Sequence, residues 1–163
     1  MSYYPYLYYS RSYNGKIIRI DVDDQDPGKE YAIPPDNPFI SDIDAFPEIY
    51  AYGFVQPWRC SVDPGDPVDG YGEGREFCGD VGVADFVEEV NLVEKGGNYG
   101  YPLFEGTVCI ADNQTCDEAR SDVIFPIITY PYGRGVAVVG GYVYHGCLHP
   151  NLKGKYIFSD YTG

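Results

Sequence analysis

The chain has 163 residues and a mass of 18.2 kDa, the size of one ordinary domain or of a piece of a larger one. Its 11 Lys and Arg stand against 25 Asp and Glu, a net charge of -14. That balance excludes binding to a nucleic-acid phosphate backbone, which needs a basic surface, and docking on anionic lipid. The 44% apolar and 17% aromatic content excludes a disordered polyelectrolyte, and no apolar run reaches the roughly 20 residues of a bilayer span. One Met, 20 Gly, 13 Pro and 18 Tyr make a β composition of short strands and frequent turns, not an all-α one.

The predicted elements run as follows. Met1 to Tyr13 carries six tyrosines and lacks the basic and apolar regions of a signal peptide, so a secreted protein of this kind would begin elsewhere and the chain reads as a fragment. Ile18, Ile20 and Val22 alternate with Arg19 and Asp21 at a period of two residues, a strand pattern. Further strands are expected at 48–54 and 58–62, the second closed by the turn Asp63-Pro64-Gly65. The stretch 64–74 is too rich in Gly, Pro and Asp for regular structure and is expected to be a surface loop. Runs at 75–81, 89–93, 126–130, 136–144 and 155–159 complete a set of turn-bracketed strands, with no convincing amphipathic helix. Such a set describes a sandwich, a barrel or propeller blades, which periodicity alone does not separate.

Five cysteines include no C-x-x-C pair. The expected disulfides are Cys109 with Cys116, closing a short loop, and Cys60 with Cys78, stapling neighbouring strands. Cys147 is then left for a partner outside this chain. The alternative is five buried reduced thiols. Asn113-Gln114-Thr115 is a glycosylation sequon in a stretch that reads as a loop, and together with the cysteines it points to an oxidising, secreted setting.

Other candidates are weaker. Asp21 to Gly28 fails the calcium-loop spacing and reads as a solvated turn. His145 and His149, the only histidines, lack a nucleophile partner beyond the nearness of Cys147 and read as surface or structural groups. Glu88 and Glu89 are adjacent on a strand, so they point to opposite faces and cannot work as an acid–base pair. Gly70 to Gly74 lacks the spacing of a phosphate-binding loop. Gly96-Gly97-Asn98-Tyr99-Gly100-Tyr101-Pro102 is expected to be a tight backbone path flanked by packed rings.

Taken in order, several of these segments form a series. Gly15-Lys16-Ile17-Ile18-Arg19-Ile20-Asp21 leads to Ile33-Pro34-Pro35-Asp36-Asn37-Pro38-Phe39, then Pro47-Glu48-Ile49-Tyr50-Ala51-Tyr52-Gly53 and Pro57-Trp58-Arg59-Cys60-Ser61-Val62-Asp63. Cys78-Gly79-Asp80-Val81-Gly82, Glu88-Glu89-Val90-Asn91-Leu92-Val93, Lys95-Gly96-Gly97-Asn98-Tyr99-Gly100, Gly140-Gly141-Tyr142-Val143-Tyr144 and Gly154-Lys155-Tyr156-Ile157-Phe158 follow. Over residues 14–163 the series resembles the glucose/sorbosone dehydrogenase superfamily, the soluble quinoprotein sugar dehydrogenases. The cysteines make it more similar to that superfamily's Hedgehog-interacting-protein-like branch.

The resemblance implies an all-β fold, part of a six-bladed β-propeller of which this chain holds two to three blades, secreted and disulfide-bonded. The enzymes of the superfamily bind pyrroloquinoline quinone with calcium and oxidise sugars, using a histidine base from an earlier blade. Their Arg-Asn quinone contacts fall here on Val55 and Gln56, so quinone binding is not expected. Gly82 and Val83 match the positions whose carbonyls hold calcium, although the interval from Gly82 to Glu88 is one residue longer than in the branch. The acidic loop that reaches Hedgehog's zinc in the namesake falls on Met1 to Tyr13, which has no Asp or Glu, so Hedgehog binding is not supported. The implied role is extracellular binding or scaffolding with an unidentified protein partner. The competing role is a quinone- and calcium-dependent aldose dehydrogenase whose catalytic blades lie outside this chain.

Overall fold

A computed structural model describes residues 11–83 and 87–162. Short antiparallel strands dominate. β1 (Lys16–Ile18) pairs with β2 (Ile49–Tyr52), and β3 (Pro57–Val62), β4 (Glu76–Asp80), β5 (Val87–Val93) and β8 (Ile128–Pro131) form a four-stranded sheet in the order β3-β4-β5-β8. Between β5 and β8 lie the hairpin β6 (Phe104–Glu105) and β7 (Val108–Cys109) and a helix, α1 (Asn113–Ala119). β9 (Val138–Val143) and β10 (Tyr156–Asp160) pair as the start of a further sheet. The sheets stack as successive propeller blades.

The strands fall close to the runs read from the sequence, with two corrections. The first strand is β1 at Lys16–Ile18 rather than at 18–22, and beyond it Asp21 makes only an isolated bridge to Ala32. The sequon stretch is not a loop. It opens α1, because the Asp112 side chain caps the helix, accepting from the Thr115 amide at 3.0 Å and from the Thr115 hydroxyl at 2.6 Å. The Cys109–Cys116 disulfide ties this helix to the hairpin, and Cys116 packs with Leu103 and Phe104.

The main core lies between the first two sheets. Ala51 and Phe54 meet Cys78, Val93 and Tyr99, and the Phe54 and Tyr99 rings stack at 4.4 Å. The Tyr99 hydroxyl donates to the Leu92 carbonyl and accepts from the Glu94 amide, both at 2.7 Å, so the glycine-rich turn is the ring-flanked path expected. The loop 64–74 runs as consecutive turns.

The next interface is formed by β9 against β3 and β4. Gly140 has φ +90, and a side chain there would press on the Arg59 carbonyl, while a Cβ at Gly79 would come within 3.2 Å of the Gly140 amide nitrogen. Backbone therefore packs on backbone. The Ser61 hydroxyl donates to the Gly141 carbonyl at 2.7 Å, Phe77 stacks on Tyr156 at 4.6 Å, and His145 Nε2 lies 2.7 Å from an Asp63 carboxylate oxygen. Some apolar residues of these strands face water: Trp58 and Val62 on β3 are 70% and 60% exposed, and Tyr142 on β9 is 64% exposed. Among the described residues no helix is long and apolar enough to cross a membrane.

Candidate functional site

The loop from β2 to β3 carries Val55 and Gln56, and the loop after β4 carries Gly82 and Val83. The two are joined by Asp80, the last residue of β4. Its carboxylate accepts from the Val55 amide at 2.8 Å and from the Gln56 amide at 2.6 Å. The Val55 and Gln56 side chains supply no cation, and both amides are used inside the fold. These residues do not fit an anionic quinone, whose carboxylates require basic partners.

Behind Asp80 lies a set of buried acids. Asp80, Glu88, Glu89 and Glu105 are almost fully enclosed. Burial first, and then the neighbouring Glu89 and Glu105, push the Asp80 carboxyl up to about 8 against the opposing pull of the two amides. Burial likewise lifts Glu89 to about 7, although the Gly106 amide and Asn91 donate to it. Glu88 turns to the other side of β5, where it accepts from the Val138 amide of the next blade at 2.7 Å. The adjacent pair thus points in opposite directions, as the strand geometry requires, and neither member is a solvent-facing catalyst.

Gly82 stands where Glu105 and the Val87 backbone leave no room for a side chain. Its neighbour Val83 is partly exposed. Asp80 and Glu89 already accept amide protons, and among the described residues no group of three His, Cys, Asp or Glu side chains is arranged to hold an ion. A calcium ion at this loop would have to be held by main-chain carbonyls such as those of Gly82 and Val83.

The remaining sequence candidates have structural employment. In the segment from Asp21, Asp21 accepts from the Asp23 amide, Asp24 from Gln25 and Asp26 from Ile33, which is turn chemistry. His145 clasps Asp63, which Arg75 also holds at 2.6 Å. Burial opposes ionisation of Asp63, but Arg75, the Gly65 amide and His145 together keep its carboxyl below the ordinary value. Cys60 is bonded to Cys78 directly across the β3–β4 ladder, Cys109 to Cys116, and Cys147 is free and exposed. Asn113 is exposed on the first turn of α1.

Sequence reasoning missed the burial of the acids. The one local signal was the paired Glu88-Glu89 in a strand whose other residues, Asn91 apart, are apolar, an arrangement that only partners from distant segments make tolerable.

Comparisons with known proteins agree with this architecture. Residues 9–160 match the family described as Glucose / Sorbosone dehydrogenase. The chain is 35% identical to the HIPL1 protein of Arabidopsis thaliana over 98% of its own length and 25% of that relative, and 29% identical to the human Hedgehog-interacting protein over 93% and 18%. It therefore spans about a quarter or less of these relatives' own length. Among solved structures, a glucose dehydrogenase superposes with a TM-score of 0.68 at 22% identity, covering 93% of this chain and 39% of that one. The apo-form of the soluble aldose sugar dehydrogenase from Escherichia coli superposes with a TM-score of 0.61 at 22% identity, covering 90% and 38%. These two likenesses concern the fold, a partial propeller. By sequence, the chain belongs to the glucose/sorbosone dehydrogenase family.

Proposed function

We propose that this chain is part of a secreted, disulfide-bonded propeller with an extracellular binding or scaffolding role and no quinone-dependent catalysis of its own. The observation that carries the reading is the Val55-Gln56 loop: it offers no cation, and Asp80 occupies its two amides. The similarity to Hedgehog-interacting protein supports a protein-binding role, and the two disulfides support an oxidising compartment. The exposed sequon at Asn113 would carry a glycan in that compartment. Calcium at the Gly82 and Val83 carbonyls is the one cofactor the resemblance leaves open. Hedgehog is not assigned as the partner, since Met1 to Tyr13 contains no carboxylate side chain.

The competing reading is a quinone- and calcium-dependent aldose dehydrogenase, favoured by the family match and by the aldose dehydrogenase fold. The two separate in one assay. A complete propeller containing this chain, mixed with pyrroloquinoline quinone, calcium and a panel of aldoses, is expected to show neither saturable quinone binding nor reduction of an acceptor dye. Turnover above the protein-free control would replace the binding role with the enzymatic one.

A further inference from the structure

A cavity of about 380 Å³ opens beside the β2–β3 loop, on the side of β1. Ser12, Asn14 and Lys16 line it from one side, and Tyr52, Phe54 and Tyr101 from the other. Its volume is within the range of small-molecule sites.

The electrostatics of Lys16 set this cavity apart. Arg19 and Lys95 pair with Asp36, Lys29 with Glu48, Arg75 with Asp63 and Lys153 with Asp66. Lys16 is half-buried, yet among the described residues it has no carboxylate partner. Its Nζ donates to the Asn14 carbonyl at 3.1 Å, and burial lowers its pKa. Residues 1–10 contain no Asp or Glu that could supply one. In a chain of net charge -14, a partly desolvated ammonium with no anion among the described residues is an unmet electrostatic demand. The same cavity presents two tyrosines, which combine a flat apolar ring with a hydroxyl, together with the Ser12 hydroxyl and the Asn14 side chain.

We propose that this cavity binds a small acidic sugar of the uronic-acid class, its carboxylate on Lys16 and its ring against Tyr52 and Tyr101. A carboxylate replaces the water that burial has removed from the ammonium, in a charge-assisted hydrogen bond. The aromatic walls take the apolar face of a pyranose, and the hydroxyl and amide groups meet its rim. Val55 of the β2–β3 loop also lines the cavity, but its amide is held by Asp80, so the proposed contacts are those of Lys16, Tyr52 and Tyr101.

The test is a titration of the chain followed by ligand-observed NMR, with glucuronate, neutral methyl glucoside and acetate as probes. Glucuronate is expected to bind with a Kd of about 1 mM, and both other probes at least about tenfold more weakly. Lys16→Gln should bring glucuronate down to the level of methyl glucoside, whereas Lys16→Arg should keep it within about threefold. An unchanged thermal unfolding curve for both variants shows that the fold is intact. Equal affinity for methyl glucoside, or glucuronate binding unaltered in Lys16→Gln, would remove Lys16 from the site. Acetate binding as tightly as glucuronate would remove the sugar ring from the proposal. Absence of saturation by glucuronate up to about 50 mM would overturn it altogether.

Discussion

Two successive blades use the same device with opposite electrical outcomes. Asp80 ends β4 and accepts from the two amides that lead into β3; Asp160 ends β10 and accepts from the Val136 and Ala137 amides that lead into β9, at 3.0 and 3.1 Å. Asp160 also receives the Tyr130 hydroxyl at 2.8 Å and the Thr162 amide and hydroxyl at 3.0 and 2.9 Å. Burial works against its ionisation, but these donors hold its carboxyl well below the ordinary value. Asp80, enclosed with Glu89 and Glu105, goes the other way. Amide hydrogen bonds therefore do not fix the charge of a carboxyl group; the balance of remaining donors, burial and neighbouring acids does.

The blades also differ in covalent reinforcement. β3 and β4 are stapled by Cys60–Cys78, with a sequence separation of 18, while no disulfide joins β9 to β10. Replacing both cysteines by serine should cost about 3 kcal/mol of stability, read by denaturant unfolding of oxidised protein. Hydrogen exchange should then show β3–β4 opening as readily as β9–β10. A loss below about 1 kcal/mol would mean that the ladder, rather than the bond, holds the first blade together.

Substitution of the two aspartates probes the comparison itself. Asp160→Asn removes an ionised acceptor from five donor contacts, counting the two Val136 contacts as one, and should cost about 2 kcal/mol at neutral pH. Asp80→Asn should cost about 1 kcal/mol, because one of the two amides loses its acceptor while no ionised charge is removed from a carboxyl already largely protonated at pH 7. Equal costs for the two would erase the distinction between the blades.

The smallest effect is a slope. Between the ordinary aspartate value of 3.8 and the folded value of about 8, folded Asp80 keeps a proton that the unfolded chain has lost. Stability from this group is thus greatest below the lower value and falls as pH rises through the interval, by at most about 1.4 kcal/mol per pH unit. Glu89 adds the same sign between 4.5 and about 7. Asp160 and Asp63 are held low, so their contribution is present above 3.8 and disappears as acid protonates them. Their sum places maximum stability at about pH 4–5. In a pH series of urea melts, Asp80→Asn should flatten the alkaline limb and Asp160→Asn the acid limb.

Much of the fold was legible because its determinants are local. Glycine and proline bracket nearly every strand, Cys60 and Cys78 lie in consecutive strands that a turn-rich loop forces together, and a sequence separation of 7 between Cys109 and Cys116 suits a closed loop. Helix α1 was hidden because its seven residues, Asn-Gln-Thr-Cys-Asp-Glu-Ala, have no apolar stripe, and its one start signal is Asp112. The acid cluster was hidden for the opposite reason. Asp80, Glu89 and Glu105 look like surface charges until β4, β5 and the β6–β7 hairpin meet, and that meeting depends on residues up to 25 positions apart. Of the site, the mismatch at Val55 and Gln56 could be read from residue types, while the use of their amides by Asp80 needed coordinates.

Trp58 is the sole tryptophan, and it stands on the outer edge of β3 with most of its indole in water. The molecule therefore carries its own optical gauge. Whatever settles on that flank should shift the emission to shorter wavelength and shield it from acrylamide quenching, while changes elsewhere leave the signal almost still.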